Sequence, residues 1–314
     1  AGLAHVAKAV TAMLRDRLSI LTYHRVHSGP DPMFPGATTA RDFARHAAIL
    51  RRFFNVLPLA EAAARLQERS LPAFAVCITF DDGYRDNLTV ALPVLRRYGL
   101  PATVFVASGF TDGGLMWNDI VIEALRSTAR EDVSCDELGI GRMLLSSADA
   151  RRAAVESILG ELKYRPPEER GAIAQSLAAR LHAVLPRDLM LNRAELIALH
   201  KAGVTIGAHT VTHPILARLE PAAADREIRS SREALVALID SDVTLFAYPN
   251  GKPNVDYRQE HVRQVMTAGF TAAVSTVAAT ARDSSDRFQL PRYGTWDRSR
   301  ARFALRTALN HVRT

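Results

Sequence analysis

The chain contains little cysteine and little lysine. Its two cysteines, Cys77 and Cys135, fall in a predicted core strand and in a polar region, which argues against a disulfide framework. Lysine supplies four of the 40 basic residues, and the arginines occur as scattered pairs rather than as a tract. The formal charge of +7 therefore does not indicate nucleic-acid binding, and we expect no nucleic-acid partner. A basic surface does favour an anionic polymer or a phosphate-bearing carrier.

Long apolar runs and targeting signals are also missing. No stretch of about 18 apolar residues occurs, so we expect no transmembrane segment. Residues 1–10 lack the basic-then-apolar order of a signal peptide, which favours a cytoplasmic location. A signal removed before position 1 would leave no trace, so export is an open alternative.

No internal repeat and no low-complexity linker divides the 314 residues. With 48% hydrophobic and 23% charged residues, the composition is typical of a folded globular protein. The length suits either two average domains or one α/β barrel with insertions. Because no linker is visible, we treat residues 1–314 as a single domain.

Two adjacent carboxylates follow a buried strand. The run from Ala75 to Phe80 is apolar and β-branched, and it stops at Asp81, Asp82 and Gly83. Buried carboxylates must be solvated, hydrogen-bonded, matched with a cation or bound to metal. Gly83 allows the backbone to break the pleat, so both acids can face one cavity, as a metal ligand beside a base. The alternative is a solvated Asp-Asp-Gly turn.

Strands and helices alternate along most of the chain, which indicates βα units. Between residues 113 and 191 the strand pattern disappears, and we interpret this segment as a helical insertion. The fold class is therefore α/β, a barrel whose active site lies at the carboxyl ends of its strands. The predicted strands cover residues 18–26, 75–80, 102–107, 204–208, 243–248, 270–276 and 288–293.

A pair of histidines follows the predicted strand at 204–208. His209 and His213 are four residues apart, and they converge on one metal if the backbone makes a helical turn. With Asp82 they would form a two-histidine, one-carboxylate site that keeps a position open for water. By itself such spacing arises by chance, and a histidine often only hydrogen-bonds a loop.

A third strand ends in Phe246–Gly251, where Pro, Asn and Gly form a turn that can present backbone N–H groups to a ligand. Together the three segments resemble the polysaccharide deacetylase family, the NodB-homology carbohydrate esterases. Thr79–Gly83 matches the first motif of that family, and His209–Pro214 matches the second. The resemblance extends over residues 18–293, apart from the helical insertion.

The resemblance implies a deformed (β/α) barrel that removes acetyl groups from sugars with a divalent metal. It implies Asp82, His209 and His213 as the metal ligands and Asp81 as the general base. Zn²⁺ is the expected metal, and the same ligands also admit Co²⁺ or Ni²⁺.

The substrate contacts are expected on three segments. The resemblance places the backbone N–H of Asn250 at the oxyanion, and we assign the neighbouring Tyr248 to the same wall. Trp117, with Asp119 beside it, and Trp296 are candidate walls of a sugar groove because aromatic faces stack on sugars. The alternative for each tryptophan is buried packing.

Two positions depart from the family pattern. Ala247 stands where the family usually carries an arginine that orients the base, and Arg292 stands where it carries a histidine taken as general acid. Arginine cannot donate a proton at neutral pH. We hypothesise that Arg292 pairs with Asp81 instead, and that His24, after the first strand, protonates the leaving amine. The alternative is that His24 only orients a loop or a carboxylate.

The expected function is metal-dependent deacetylation of an N-acetylated polysaccharide or oligosaccharide. Because Ala247 and Arg292 depart from the pattern, the first alternative is a catalytically degenerate glycan-binding protein of the same fold. The second, a non-haem iron oxygenase, shares the ligand set but lacks the histidine-x-carboxylate spacing and leaves Asp81 without a role.

Overall fold

A curled sheet of mainly parallel strands forms the centre of the protein. The computed structural model describes residues 16–295, 297 and 299–312. The strands are β1 (Arg17–Tyr23), β2 (Asn55–Val56), β3 (Ala75–Phe80), β4 (Thr103–Val106), β5 (Asp132–Cys135), β6 (Gly141–Leu144), β7 (Thr205–Ala208), β8 (Leu245–Ala247), β9 (Ala272–Val274), β10 (Ala281–Arg282) and β11 (Tyr293–Gly294).

Helices connect most of the strands. They are α1 (Ala40–Phe53), α2 (Leu59–Gln67), α3 (Leu92–Tyr98), α4 (Trp117–Ser127), α5 (Ala148–Leu162), α6 (Pro167–Arg180), α7 (Arg193–Lys201), α8 (Pro221–Ile239), α9 (Gln259–Thr267) and α10 (Arg300–Val312). Several begin or end as their sequences predict. Asn192 and Glu195 form a capping box at α7, and Gly99 ends α3 in a left-handed conformation.

The strand order is β10-β1-β3-β4-β7-β8-β9, and β10 alone on this path runs antiparallel to its neighbour. The chain after β10 then spans the gap between the two sides of the sheet. Leu290 bridges Val274 in β9, and Tyr293 in β11 pairs with Leu21 in β1. The predicted α/β class and the deformed (β/α) barrel are confirmed.

Alternating side chains of β3 face opposite sides of the sheet. Val76, Ile78 and Phe80 pack in the cluster that includes the helices α1 and α3. Cys77 belongs to a separate cluster with side chains from β1, β4, β8 and β9, inside the barrel. Because side chains in a strand alternate with a period of two, Asp81 continues the inward row.

One glycine marks the tightest approach inside the barrel. A Cβ atom on Gly207 in β7 would lie 2.4 Å from the Phe105 ring of β4. The absence of a side chain there lets the Phe105 ring lie across the neighbouring strand. The Arg292 guanidinium carbon in turn lies 5.7 Å from the centre of that ring.

The insertion forms its own apolar cluster between β4 and α7. Side chains of α4, α5 and α6 pack together there with Leu145 and Met33. The prediction of helices is correct, but it missed the antiparallel hairpin of β5 and β6. Both strands of the hairpin are short and carry polar residues, so period-two alternation of apolar residues is weak.

Helix α10 was also missed by sequence reasoning. Its buried side chains include the polar Thr307, Asn310 and His311, whereas Leu305 and Leu309 are exposed. Phe303 is fully buried in the core, but the two leucines lie outside the face that packs on the barrel, so apolar spacing alone does not mark that face. The predicted strand at 288–293 is reduced to the Leu290 bridge and β11.

Cys77 and Cys135 are both buried and free, so they form no disulfide. Over the residues that the structure describes, no helix is both long enough and apolar enough to cross a membrane.

Candidate metal centre and catalytic cleft

The end of β3 turns both carboxylates toward one cleft. Asp81 and Asp82 line that cleft together, although adjacent side chains of a regular strand point apart. The backbone break begins at Asp82 itself, which has a φ of 77°, and continues at Gly83 with a φ of 86°. A left-handed conformation is costly for a residue other than glycine, and such strain is concentrated at functional sites.

The loop after β7 brings the two histidines together. The backbone makes no helical turn here, because Thr210 and His213 both adopt positive φ values, 64° and 55°. The Glu227 carboxylate accepts hydrogen bonds from the N–H groups of Val211 and Thr212 at 2.8 and 2.9 Å. A bent loop fixed by a neighbouring helix therefore replaces the helical turn.

The orientation of His209 is fixed by a hydrogen bond to the backbone. Its Nδ1 lies 2.7 Å from the Ala247 carbonyl oxygen, so Nδ1 carries the proton and donates. The free Nε2 then faces Asp82 as a potential ligand. This arrangement, in which the second ring nitrogen donates to a carbonyl, is the usual one for histidines that bind metal.

Three ligand atoms converge at the centre of the cleft. The Nε2 atoms of His209 and His213 lie 3.5 and 3.4 Å from Oδ1 of Asp82, and the three potential ligand atoms lie within 4.8 Å of one another. Oδ1 of Asp82 is buried and accepts no hydrogen bond from the described part of the chain. A buried carboxylate oxygen without a donor is costly unless a cation satisfies it, so these residues fit a metal ion.

The protonation states also suit metal binding. Burial lowers the pKa of His213 to about 4, which leaves its imidazole neutral at pH 7. Burial acts to raise the pKa of Asp82, but the two histidines outweigh it and hold that pKa well below the ordinary range. Burial acts to lower the pKa of His209, and the hydrogen-bonding and charge effects of Asp82 and Asp81 raise it overall. Metal binding would displace the proton of His209.

Asp81 is held from behind by Arg292. Nη1 of Arg292 donates to Oδ1 of Asp81 at 2.7 Å, and Nη2 donates to Oδ2 at 2.8 Å. The guanidinium also donates to the Ser275 carbonyl oxygen and to the Thr79 hydroxyl. Burial acts to raise the pKa of Asp81, but the charge and hydrogen bonds of Arg292, together with the charges of His209 and His24, outweigh it, and the pKa lies below its ordinary value.

The cleft has a volume of about 320 Å³ and contains most of the predicted site residues. Its size is at the lower end of the range for small-molecule sites, roughly 300–1,000 Å³. Arg292 is absent from its lining because it lies behind Asp81. The predicted residues that line the cleft are His24, Asp81, Asp82, Trp117, His209, His213, Tyr248 and Asn250; those not predicted are Tyr84, Asn118, Leu159, Lys163, Arg170 and Thr276.

His24 projects from the end of β1 and is exposed at the cleft. Its backbone carbonyl accepts a hydrogen bond from Asn87, but its ring makes no hydrogen bond to any described residue. A histidine that only orients a loop or a carboxylate would show such a bond. The ring is instead available to a ligand.

The turn after β8 presents a backbone donor. Asn250 has a φ of 60°, and its N–H group donates to no acceptor in the part of the chain that the structure describes. Tyr248 differs, because its side chain is buried, stacks on Tyr257 and donates its hydroxyl to the Phe288 carbonyl oxygen. The hydroxyl of Tyr248 is therefore committed to the fold.

The two aromatic wall candidates differ. Trp117 is half-buried, lines the cleft and lies 5.1 Å from the Arg170 guanidinium carbon. Trp296 lies outside the described residues. Asp119 is buried rather than part of the wall, and it accepts a hydrogen bond from the Tyr84 hydroxyl at 2.9 Å. Burial, together with the charge of Asp82, raises the pKa of Asp119 to about 7.

The family model for Polysaccharide deacetylase matches residues 68–134 and 172–272, which together make up more than half of the chain. The chain belongs to the polysaccharide deacetylase family. The gap between the two matched ranges, 135–171, falls within the helical insertion. The first range contains the β3 carboxylates, and the second contains the histidines and the turn at Asn250.

Relatives extend the match over most of the chain. YxkH of Bacillus subtilis, a candidate polysaccharide deacetylase, is 22% identical over 278 residues, which are 88% of this chain and 70% of YxkH. The Streptococcus pyogenes deacetylase PplD, in complex with acetate, superposes with a TM-score of 0.63 and 18% identity, covering 93% of this chain and 98% of PplD. IcaB from Ammonifex degensii superposes with a TM-score of 0.61 and 20% identity, covering 93% of this chain and 97% of IcaB. At these identities the superpositions show the shared deformed-barrel fold.

Proposed function

We propose that this protein is a metal-dependent deacetylase that hydrolyses the N-acetyl groups of a polysaccharide or oligosaccharide. The observation that carries the proposal is that the two adjacent carboxylates at the end of β3 have different partners. Asp82 faces two histidine nitrogens, while Asp81, one residue earlier, is held by a guanidinium and also faces the cleft. Family membership supplies the reaction class, and the acetylated amino sugar is our finer assignment.

Asp82, His209 and His213 would hold the divalent cation, and Zn²⁺ suits a carboxylate with two imidazoles, as do Co²⁺ and Ni²⁺. When bound, the cation supplies Lewis-acid polarisation of the acetyl carbonyl and lowers the pKa of water.

Asp81 takes the proton from the attacking water. Its lowered pKa keeps it ionised at neutral pH, so it is ready to accept. The bidentate bond to Arg292 uses one lone pair on each oxygen and leaves the others free. Arg292 therefore acts as a positioning residue, in the role that the family arginine would have had at Ala247.

Two further groups complete the reaction. The free N–H of Asn250 donates to the oxyanion that develops on the acetyl carbonyl. His24, exposed in the same cleft with an unengaged ring, delivers a proton to the leaving amine. After one turnover Asp81 has gained a proton and His24 has lost one. Proton exchange with solvent then returns both groups to their starting protonation states.

The test is acetate release from N-acetylated oligosaccharides before and after chelation. We expect chelated protein to release no acetate and Zn²⁺, Co²⁺ or Ni²⁺ to restore release, with metal content measured in parallel. Release that is indifferent to the chelator would reject the proposal. Binding of the oligosaccharide and of metal without any acetate would instead establish the degenerate glycan-binding protein.

A further inference from the structure

The insertion forms one wall of the catalytic cleft. Trp117 and Asn118 at the start of α4, Leu159 near the end of α5, Lys163 directly after α5, and Arg170 in α6 all line the same cleft as Asp81 and Asp82. No motif links these positions, which is why sequence reasoning found only Trp117. The part of the cleft lining that the insertion supplies is therefore specific to how this insertion folds.

Among the residues that the structure describes, Arg170 is a buried cation without an anionic partner. Only 4% of the residue is exposed, and no carboxylate of the described residues lies within 4.0 Å of its guanidinium. Its one hydrogen bond to those residues runs from Nη1 to the Lys163 carbonyl oxygen at 3.2 Å. Burial lowers the pKa of Arg170. The charge of Glu168, which is two residues earlier and exposed, offsets this lowering only in part. A buried charge of this kind needs a partner.

The guanidinium is also held in place before any ligand arrives. Its central carbon lies 5.1 Å from the centre of the Trp117 ring, a distance typical of a cation–π contact. An arginine fixed in this way loses little conformational entropy when it binds. Its planar fork of N–H groups matches the oxygens of a carboxylate or a phosphate.

The charges around the cleft favour an anion as well. Asp81 is neutralised by Arg292, and Asp82 faces the two histidines of the candidate metal site. The remaining charged residues of the lining are Lys163 and Arg170. Lys163 and Arg218 both lie near the Tyr164 ring, at 5.5 and 5.3 Å from its centre, so a third cation lies close to this turn, although Arg218 does not itself line the cleft. Converging positive charge raises the local concentration of anions.

We propose that the wall formed by Arg170 and Lys163 binds an anionic group of the glycan, a carboxylate or a phosphate, while the N-acetylated sugar occupies the metal side of the cleft. The inference rests on the proposed deacetylase function for the identity of that sugar. It names the substrate class as an acidic glycan. Arg170 would bind the anion in a bidentate manner and Lys163 would add a point charge.

A purely structural role for Arg170 makes a different prediction. Its bond to the Lys163 carbonyl oxygen caps the carboxyl end of α5, which stabilises a helix. Loss of that cap would lower the amount of folded protein and affect every substrate equally. Selectivity between neutral and anionic substrates therefore separates the two roles.

The experiment compares three probes of equal length: a neutral tetramer of N-acetylglucosamine, the same tetramer with a terminal carboxylate, and the same tetramer with a terminal phosphate. The measured quantity is the ratio of kcat/KM for each anionic probe to that for the neutral probe. We expect a ratio of about ten or more in the unmodified protein, as for a charge-assisted hydrogen bond. The higher of the two ratios identifies carboxylate or phosphate as the preferred group.

Three variants locate the effect. Arg170→Gln should bring the ratio close to one, and Lys163→Gln should lower it in part. Arg165→Gln is the matched control, because Arg165 belongs to the same turn but pairs with Glu169 and does not line the cleft. Its ratio should equal that of the unmodified protein. A ratio near one in the unmodified protein, or a ratio that survives both Arg170→Gln and Lys163→Gln, would overturn the proposal.

Binding separates this inference from the proposed function. Calorimetry with the same three tetramers, run in the Asp81→Asn background that should keep the metal and lose turnover, gives the ratio of Kd values without hydrolysis. If no tetramer yields acetate but the anionic ones bind more tightly in an Arg170-dependent manner, the deacetylase function fails and the anion site stands. If acetate is released and the Kd ratio is one, the function stands and the anion site is rejected. Each ratio compares anionic and neutral tetramers on the same protein preparation. A reduced yield of folded Arg170→Gln protein therefore leaves the ratio unchanged.

Discussion

Arg292 and Asp81 form a buried bidentate ion pair across 211 residues of sequence, with N–O distances of 2.7 and 2.8 Å and side chains that are 1% and 3% exposed. The pair connects the chain that spans the gap after β10 with the end of β3. It supplies, from the segment between the Leu290 bridge and β11, the guanidinium that the resemblance led us to expect at Ala247.

Arg292→Met should damage both stability and turnover. Removing one partner of a buried ion pair leaves the other charge uncompensated, which costs about 3–5 kcal/mol. Turnover should fall by about 10- to 100-fold, the usual effect of losing a group that orients a catalytic residue. Denaturant unfolding and acetate release measure the two effects.

A double-mutant cycle with Asp81→Asn tests the pairing itself. The double variant should be less destabilised than the sum of the two single variants, because no buried charge is left alone. Arg292→Lys keeps the charge without the fork and should fall between Arg292→Met and the unmodified protein. Metal content should stay unchanged throughout. Additive stability losses would show that the two residues act independently.

Substitutions at the adjacent carboxylates should have different effects on metal binding. Asp81→Asn should retain the metal and lose turnover, whereas Asp82→Asn should lose both, because Asp82 faces the histidine nitrogens and Asp81 faces Arg292. His213→Ala should resemble Asp82→Asn. Metal analysis of purified variants, beside acetate release, distinguishes the outcomes. Loss of metal in Asp81→Asn would contradict the assigned roles.

His24→Gln should reduce deacetylation of an N-acetyl sugar by about 10²- to 10⁴-fold, the range for general acid–base catalysis. An aryl acetate offers a control within the same variant, since its phenolate leaves without a proton. Hydrolysis of that ester should be nearly unaffected. Equal losses on the amide and the ester would assign His24 to substrate positioning, and full activity on the amide would remove it from the mechanism.

Acid should destabilise the fold through His46. Its Nε2 donates to the Asp297 carbonyl oxygen at 2.6 Å, and its Nδ1 lies 3.0 Å from the Tyr23 hydroxyl, so the neutral imidazole is fully paired. Burial lowers the pKa of His46 in the folded state. The unfolded chain then binds more protons, so this contribution is complete above a pH of about 6.5 and is lost as the pH falls below it.

Unfolding of the unmodified protein and of His46→Gln between pH 7.5 and 5 measures this contribution. One proton changes the free energy of unfolding by at most about 1.4 kcal/mol per pH unit. We expect a shallower slope in His46→Gln, although that variant starts from lower stability. Identical slopes in the two proteins would show that His46 does not titrate on unfolding.

Sequence reasoning located the residues that lie close together in the chain. Asp81 and Asp82 follow an apolar strand, and His209 and His213 follow another, so strand ends and short spacings were enough to place them on one edge of a barrel. The two histidines converge without the helical turn that we gave as a condition for it, because Glu227, 14 residues beyond His213 in the chain, bends that loop through its own hydrogen bonds.

The residues that sequence reasoning missed depend on packing between distant segments. Arg170 and Lys163 reach the cleft because α5 and α6 fold back over Trp117, and no periodic pattern records that arrangement. In α10 the polar Thr307, Asn310 and His311 are buried against the barrel, so the amphipathic signal was misleading.

The Leu290 bridge to β9 and the pairing of β11 with β1 close the barrel, and Arg292 lies between these two contacts. The candidate metal ligands follow β3 and β7, whereas Arg292, the partner of Asp81, belongs to this last segment. The candidate metal site and the support of Asp81 therefore depend on different parts of the chain. A chain in which residues 290–294 had not docked would keep the candidate metal ligands, but Asp81 would lack its guanidinium partner. Deacetylase activity would therefore depend on completion of the barrel, whereas metal content would not.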